Sequence, residues 1–289
     1  MSRACVRIAA ATLLACAGAP TFAVPMSAAV AVTADDSGGA SYDADFSIAP
    51  GEHVSLYAGA GHSEGSDDTA DLTGTLLSAG ISLHGERGGF ALGYDSFDDS
   101  TNYRSTTIAG RAWWSAGDFE FSLLGRQRDL TAQLTLELPL RTLRRELDFA
   151  ALGGGLQVSY SHGDFNAYAM ALTYEYDDEF DQFVELAAAP QVSRRPRIEA
   201  LFGSFMTQAQ GAIDRQIGLG AARIFGRQLV SVDLASVHDA ILDADSTSLA
   251  VTWAYAQSAH VDWSLSAGMI DSDAYGNIAF AGVGLSLGN

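Results

Sequence analysis

The sequence predicts an all-β chain closed into a transmembrane antiparallel β-barrel of 14–16 strands, an even number. Three observations predict it. Segments of roughly ten residues alternate apolar with small or polar side chains, the pattern of strands whose successive residues point to opposite faces. Short turns and longer acidic loops connect these segments in strict alternation. Past an N-terminal apolar stretch, no run approaches the ~20 apolar residues of a membrane helix. A chain of this kind can enter a bilayer only as a closed sheet, because a bare sheet edge cannot face lipid.

Residues Leu147 to Asp178 show the pattern most plainly: two strands around the turn His162-Gly163-Asp164. Before the turn, Ala150, Leu152, Leu156, Val158 and Tyr160 share one parity, and Gly153, Gly155, Gln157 and Ser159 the other. After it, Tyr168, Met170, Leu172, Tyr174 and Tyr176 alternate with Ala167, Ala169, Ala171, Thr173 and Glu175. The tyrosine-bearing set reads as the lipid face, its aromatic ends reaching the girdles of a ~25 Å apolar band.

Composition supports the class. Apolar residues make up 48% of the 289, with 30 glycines and only 6 prolines, too much glycine for a helical bundle. Asp and Glu number 35 against 16 basic residues, for a net charge of −19. That balance argues against nucleic acid, whose phosphates demand a basic face. Both cysteines, Cys5 and Cys16, lie in the N-terminal segment, so the rest of the chain has neither a disulfide framework nor a Cys metal site. No cofactor is expected.

Residues 1–23 read as a signal peptide: Arg3 and Arg7, an apolar core Ile8–Ala19, and Thr21-Phe22-Ala23 as the cleavage site. The rival reading takes Leu13-Leu14-Ala15-Cys16 as a lipoprotein box with Cys16 lipidated. The barrel domain then spans 24–289.

A first pair of strands is expected at Met26–Thr33 and Tyr42–Ala49, with Tyr42, Ala44, Phe46 and Ile48 opposed to Ser41, Asp43, Asp45 and Ser47. Val54–His62 follows, with Leu56 and Ala58 out and Ser55 and Tyr57 in. Leu72–His84 places Leu77, Ala79, Ile81 and Leu83 on the greasy side, and Phe90, Leu92 and Tyr94 continue it. Tyr103–Ser115 ends in Trp113-Trp114. Phe119, Phe121 and Leu123 begin the next strand, and the alternation changes parity near Gly125, as a bulge would make it. It resumes at Leu130, Ala132 and Leu134, and with Pro139 at the tip and Leu147 and Phe149 returning, it reads as a long hairpin protruding beyond the bilayer.

Phe180–Thr207 has two readings. Either it holds two short strands around Pro190–Pro196, giving 16 in all, or it is one external loop folded over or into the pore, giving 14. Strands recur at Ile213–Phe225, Leu229–Val237, around Leu249–Tyr255, around Val261–Met269 and at Ile278–Leu287. All four tryptophans fall near short turns, where an aromatic belt would place them.

In this architecture the chain resembles the bacterial outer-membrane β-barrel proteins, porin-like in the broad sense. No family motif carries the resemblance. It implies a channel for passive diffusion of small hydrophilic solutes, with lipid, lipopolysaccharide and the barrel-assembly machinery as partners. A non-conducting anchor or binding scaffold is the alternative. One departure is the ending: Val283, Leu285 and Leu287 alternate correctly, but Gly288-Asn289 stands where such barrels usually end on an aromatic.

No catalytic residue is expected. His62-Ser63-Glu64 and His238-Asp239 are the His-acid or His-Ser neighbours at loop ends, and neither matches the clusters of outer-membrane phospholipases or proteases. The inward parity instead offers pore-lining candidates: Arg111, Glu120, Arg126, Arg128, Glu175, Asp233 and Asp262. Arginine and carboxylate rows facing across a lumen would tune ion preference; paired with each other, they would fill the barrel. The outer acidic clusters Asp67-Asp68, Asp98-Asp99, Asp177-Asp178, Asp243/Asp245 and Asp271/Asp273 either hold hard cations with lipopolysaccharide phosphates or form a solvated acidic surface.

Overall fold

A computed structural model describes residues 24–36, 38–67, 70–99, 103–138, 141–177, 180, 212–240, 243–273 and 276–288. Residues 1–23, expected to be a signal peptide, Asp68, Asp178 and most of Phe180–Thr207 lie outside them. Fourteen strands form one closed antiparallel sheet. They are β1 (Met26–Asp35), β2 (Ala40–Gly51), β3 (Val54–Asp67), β4 (Ala70–His84), β5 (Gly88–Asp98), β6 (Tyr103–Ala116) and β7 (Phe119–Leu138). The second half comprises β8 (Arg141–His162), β9 (Phe165–Tyr176), β10 (Ile213–Phe225), β11 (Gln228–Asp239), β12 (Ala244–Ala256), β13 (Val261–Ser272) and β14 (Gly276–Gly288). Each strand pairs with its sequence neighbours, and β1 closes on β14 from Ser27↔Gly288 to Asp35↔Phe280. β9 pairs directly with β10, Arg215 opposite Thr173, which excludes a 16-stranded sheet.

The six connections at one end each span two to four residues. Three of them turn on a glycine in the left-handed region, Gly117, Gly163 and Gly226, at φ of 62°, 58° and 64°. A side chain at those positions would be strained, whereas glycine adopts that φ without penalty. At the opposite end β7 and β8 run on for 20 and 22 residues, the long hairpin expected from the sequence.

The outer surface carries an apolar band. Leu77, Leu123, Leu152, Leu156, Ile217, Leu265 and Val283 are among its exposed members, with Leu152 70% accessible. Counted from the short-turn end, outward positions reach a carboxylate only at Asp129 on β7 and Asp271 on β13. From Phe119 or Trp263 to those residues is roughly 20–25 Å of height, at ~3.3 Å per residue and a ~40° tilt. A belt of Phe90, Trp114, Phe119, Phe225, Trp253 and Trp263 rims the band. Trp253 Nε1 donates to Gln228 Oε1 at 3.1 Å and Trp263 Nε1 to Gln257 Oε1 at 2.5 Å, so each indole keeps a polar partner at the interface.

Three expectations are corrected. First, β9 is turned the other way. Its register sets Tyr174 opposite Gly153 and Glu175 opposite Leu152, and directly paired residues share a face. Since Leu152 faces outward, Glu175 does too, and Tyr168, Met170, Leu172, Tyr174 and Tyr176 line the interior. Glu175 is therefore not a pore-lining residue. Alanines and a threonine suffice against lipid, while tyrosine hydroxyls find partners only inside. Second, β7 pairs with β6 and β8 without a break in register around Gly125. Leu130 and Ala132 therefore stay on the inward parity of Arg126 and Arg128, and both are buried. The change of pattern is a change in the lumen's chemistry, from polar to apolar. Third, Trp113 leaves the belt: adjacent strand residues must face opposite ways, so of Trp113-Trp114 only the second meets the outside.

Candidate functional site: the barrel lumen

Fourteen strands ~4.8 Å apart and tilted ~40° make a backbone cylinder about 28 Å across. Its inner surface is defined by strand parity and divides into unlike walls. From β10 through β14 the inward positions are largely small: Gly218, Gly220, Ser231, Ala235, Ser248, Thr252, Ser264, Ser266, Gly282 and Gly284. β3 and β4 add Gly59, Gly61, Ser78, Gly80 and Ser82, with the large side chain of Tyr57 lying across Gly80 and Gly93.

The arginines stand on β6 and β7. Arg111 donates from Nη2 to Glu120 Oε1 at 2.5 Å and from Nε to Ser122 at 3.0 Å, and its guanidinium lies 5.3 Å from the Trp113 ring. Arg126 donates to the Tyr174 hydroxyl at 3.2 Å. Arg128 is 1% exposed, donates to Thr107 Oγ1 at 3.3 Å and covers the Tyr174 ring at 5.1 Å. These tyrosine partners are absent from the sequence-derived candidates because periodicity alone assigns the two faces of β9 the other way round. The polarity of the face is legible, however: three hydroxyls among the five positions Tyr168, Met170, Leu172, Tyr174 and Tyr176 suit a wet wall better than lipid.

Toward the long-loop end this wall becomes apolar. Phe97, Tyr103, Leu130, Ala132, Phe149, Ala151, Leu172, Tyr174, Phe180 and Ala212 form one buried cluster. Phe180 stacks on Tyr176 with ring centres 4.2 Å apart and tilts against Phe149 at 5.1 Å. Tyr176 donates to the carbonyl of Ile213 at 2.8 Å, and Ala240 N to that of Ala212 at 2.7 Å. Both ends of the connection between β9 and β10 are thus fastened inside the mouth.

Carboxylates occupy other strands. Asp233 accepts from the Tyr168 hydroxyl at 3.0 Å, and Asp262 stands exposed on the inward parity at the short-turn rim. Asp43 and Asp45 on β2 and Asp95 on β5 also point inward, and the alternation of those strands could have found them. Of the sequence-derived set, Arg111, Glu120, Arg126, Arg128, Asp233 and Asp262 lie on inward positions; the structure pairs Arg111 with Glu120 and brings Arg126 and Arg128 together on Tyr174, while Asp233 and Asp262 stand on other strands.

Neither His-acid neighbour assembles a nucleophile. His62 and Glu64 face outward in contact at 3.3 Å, and Ser63 between them faces inward. His238 contacts Asp245 at 3.0 Å, Asp243 at 3.6 Å and Asp214 at 3.9 Å on the outer rim, while Asp239 points inward. Among the described residues, no group of three or more His, Cys, Asp or Glu is arranged to hold a metal.

No protein-family model matches the chain, and no curated protein matches it in sequence. Solved structures do. A loop L8 deletion mutant of OmpT, an outer membrane protein of Vibrio cholerae, aligns over 92% of this chain and 98% of its own, with a TM-score of 0.50 at 10% identity. OpdK of Pseudomonas aeruginosa, solved with vanillate, aligns over 92% and 98% with a TM-score of 0.45 at 9% identity. The fold is that of bacterial outer-membrane β-barrels. What the chain shares with them is the β-barrel architecture; its own closed sheet has 14 strands.

Proposed function

We propose that this chain is an outer-membrane, porin-like channel for passive diffusion of small hydrophilic solutes. In this reading residues 1–23 are a cleaved signal peptide, residues 24–289 the barrel, and lipid, lipopolysaccharide and the assembly machinery its partners. One observation carries it: the barrel is about 28 Å wide at the backbone, and half of its inner wall is Ser, Gly, Ala and Thr. Eight-stranded barrels fill with their own side chains, but at this circumference small side chains leave a lumen open. The second reading, a non-conducting scaffold, draws on Phe180, which carries the chain after β9 into the outer mouth.

Planar-bilayer recording of purified protein separates the two. Stepwise currents support the pore, and silence supports the scaffold. In a conducting barrel, Arg126→Glu raises cation preference; an unchanged reversal potential would remove Arg126 from the conduction path.

A further inference from the structure

The inner wall does not carry its charges evenly, and the imbalance has a sign. Between the rims, the inward cations among the described residues are Arg111, Arg126 and Arg128, all on β6 and β7. The inward carboxylates between the rims are Asp43 and Asp45 on β2, Asp95 on β5, Glu120 on β7 and Asp233 on β11, with Asp262 at the short-turn rim and Asp35 and Asp239 at the opposite one. Glu120 neutralises Arg111 through their 2.5 Å contact. Arg128 is sealed behind aromatic side chains at 1% exposure. Arg126 is then the cation left to confront the solution, and Asp95 sits two strands away on the pairing row of Arg128.

Asp43 and Asp45 stand differently. Their cross-strand neighbours are Ala31 and Ala29 on one side and Gly61 and Gly59 on the other; Asp45 is exposed and Asp43 half-buried. Neither has an ion-pair partner among the described residues. Two carboxylates on a bed of alanine and glycine act on the lumen across a Debye length, ~8–10 Å at 0.1–0.15 M salt.

Resting on the channel reading above, we propose that the pore is cation-selective, its solutes small cations and positively charged hydrophilic molecules, and that Asp43 and Asp45 are its principal selectivity residues. Such solutes follow the acidic β2 wall, away from the arginine and tyrosine wall of β6–β9. The preference is electrostatic and needs no binding geometry, so it weakens as salt screens the carboxylates.

The test is the zero-current potential of single channels under a tenfold KCl gradient, for the wild type and for D43N/D45N. The wild type should reverse with the dilute side positive, and the double variant should lower the potassium-to-chloride permeability ratio about threefold. The wild-type preference should also shrink when the gradient is raised from 0.1 M to 1 M, where the Debye length is only ~3 Å. D43S/D45S, with smaller side chains, guards against a packing effect: if charge is the cause, both variants shift alike. Steps with an anion-preferring wild type overturn cation selectivity, and a ratio that neither variant moves overturns the role of Asp43 and Asp45; both outcomes leave the pore standing. An absence of steps in the wild type overturns both.

Discussion

Glu120 and Arg111 meet across adjacent strands with both side chains about a third exposed, so the pair contributes little to stability, about 0.2–1 kcal/mol. Its effect is on the field in the lumen. Glu120→Gln should leave folding nearly unchanged and release the positive charge of Arg111, moving the reversal potential toward anions; gel-mobility and bilayer measurements on one preparation check both halves. Gly153 and Gly154 give a paired test of which face is which. A Cβ at Gly153 would meet the Tyr174 ring at 2.6 Å, whereas at Gly154 nothing lies within 4 Å. Gly153→Val should push Tyr174 off the wall, break its bond with Arg126 and cost about 1–3 kcal/mol in urea unfolding. Gly154→Val, facing lipid, should be close to neutral. Equal losses would contradict the orientation of β8.

Among the elements, β9 carries the largest difference between pattern and structure. Its two faces are both plausible against lipid, because Ala167, Ala169, Ala171 and Thr173 are as compatible with hydrocarbon as Met170 and Leu172 are. Periodicity shows that a strand is there and cannot say which parity turns inward. The partners decide: Arg126 and Asp233 take the hydroxyls of Tyr174 and Tyr168. Ala171→Arg should therefore be costly, about 2–4 kcal/mol in vesicle-folding titrations. Met170→Arg, one residue away but in the lumen, should be tolerated. The reverse ranking would restore the opposite orientation. In β7, Leu130 and Ala132 follow the same rule: apolar residues at an inward position mimic a register shift, and the unbroken ladder with β6 and β8 fixes them inside.

For the whole molecule, the long-loop mouth differs from the short-turn end. Phe180 anchors the connection after β9 in a cluster supplied by β5, β6, β7, β8 and β9. Phe180→Ala should loosen that anchor without touching the sheet. In the channel reading, unit conductance or its noise rises while heat stability stays near wild type; an identical current trace would show that the cluster does not border the conduction path. The even strand number also belongs to this scale. Antiparallel closure of β1 on β14 requires it, and the direct pairing of β9 with β10 selects 14.

By itself the sequence determined that the chain is a barrel: alternation sets the strands, turn glycines and acidic loops set their ends, and the oily parity of most strands was plain in residues such as Leu77, Ile81, Leu152 and Leu265. Arg111, Glu120, Arg126 and Arg128 could be placed inward because a charge on the lipid face is expensive. Only the tertiary structure decided the orientation of β9, the outward place of Glu175, the inward place of Trp113 and the count of 14. The reason is that strand parity is a relative quantity. A single segment states that its faces differ, and which of them meets lipid is settled by the register with the strands on either side.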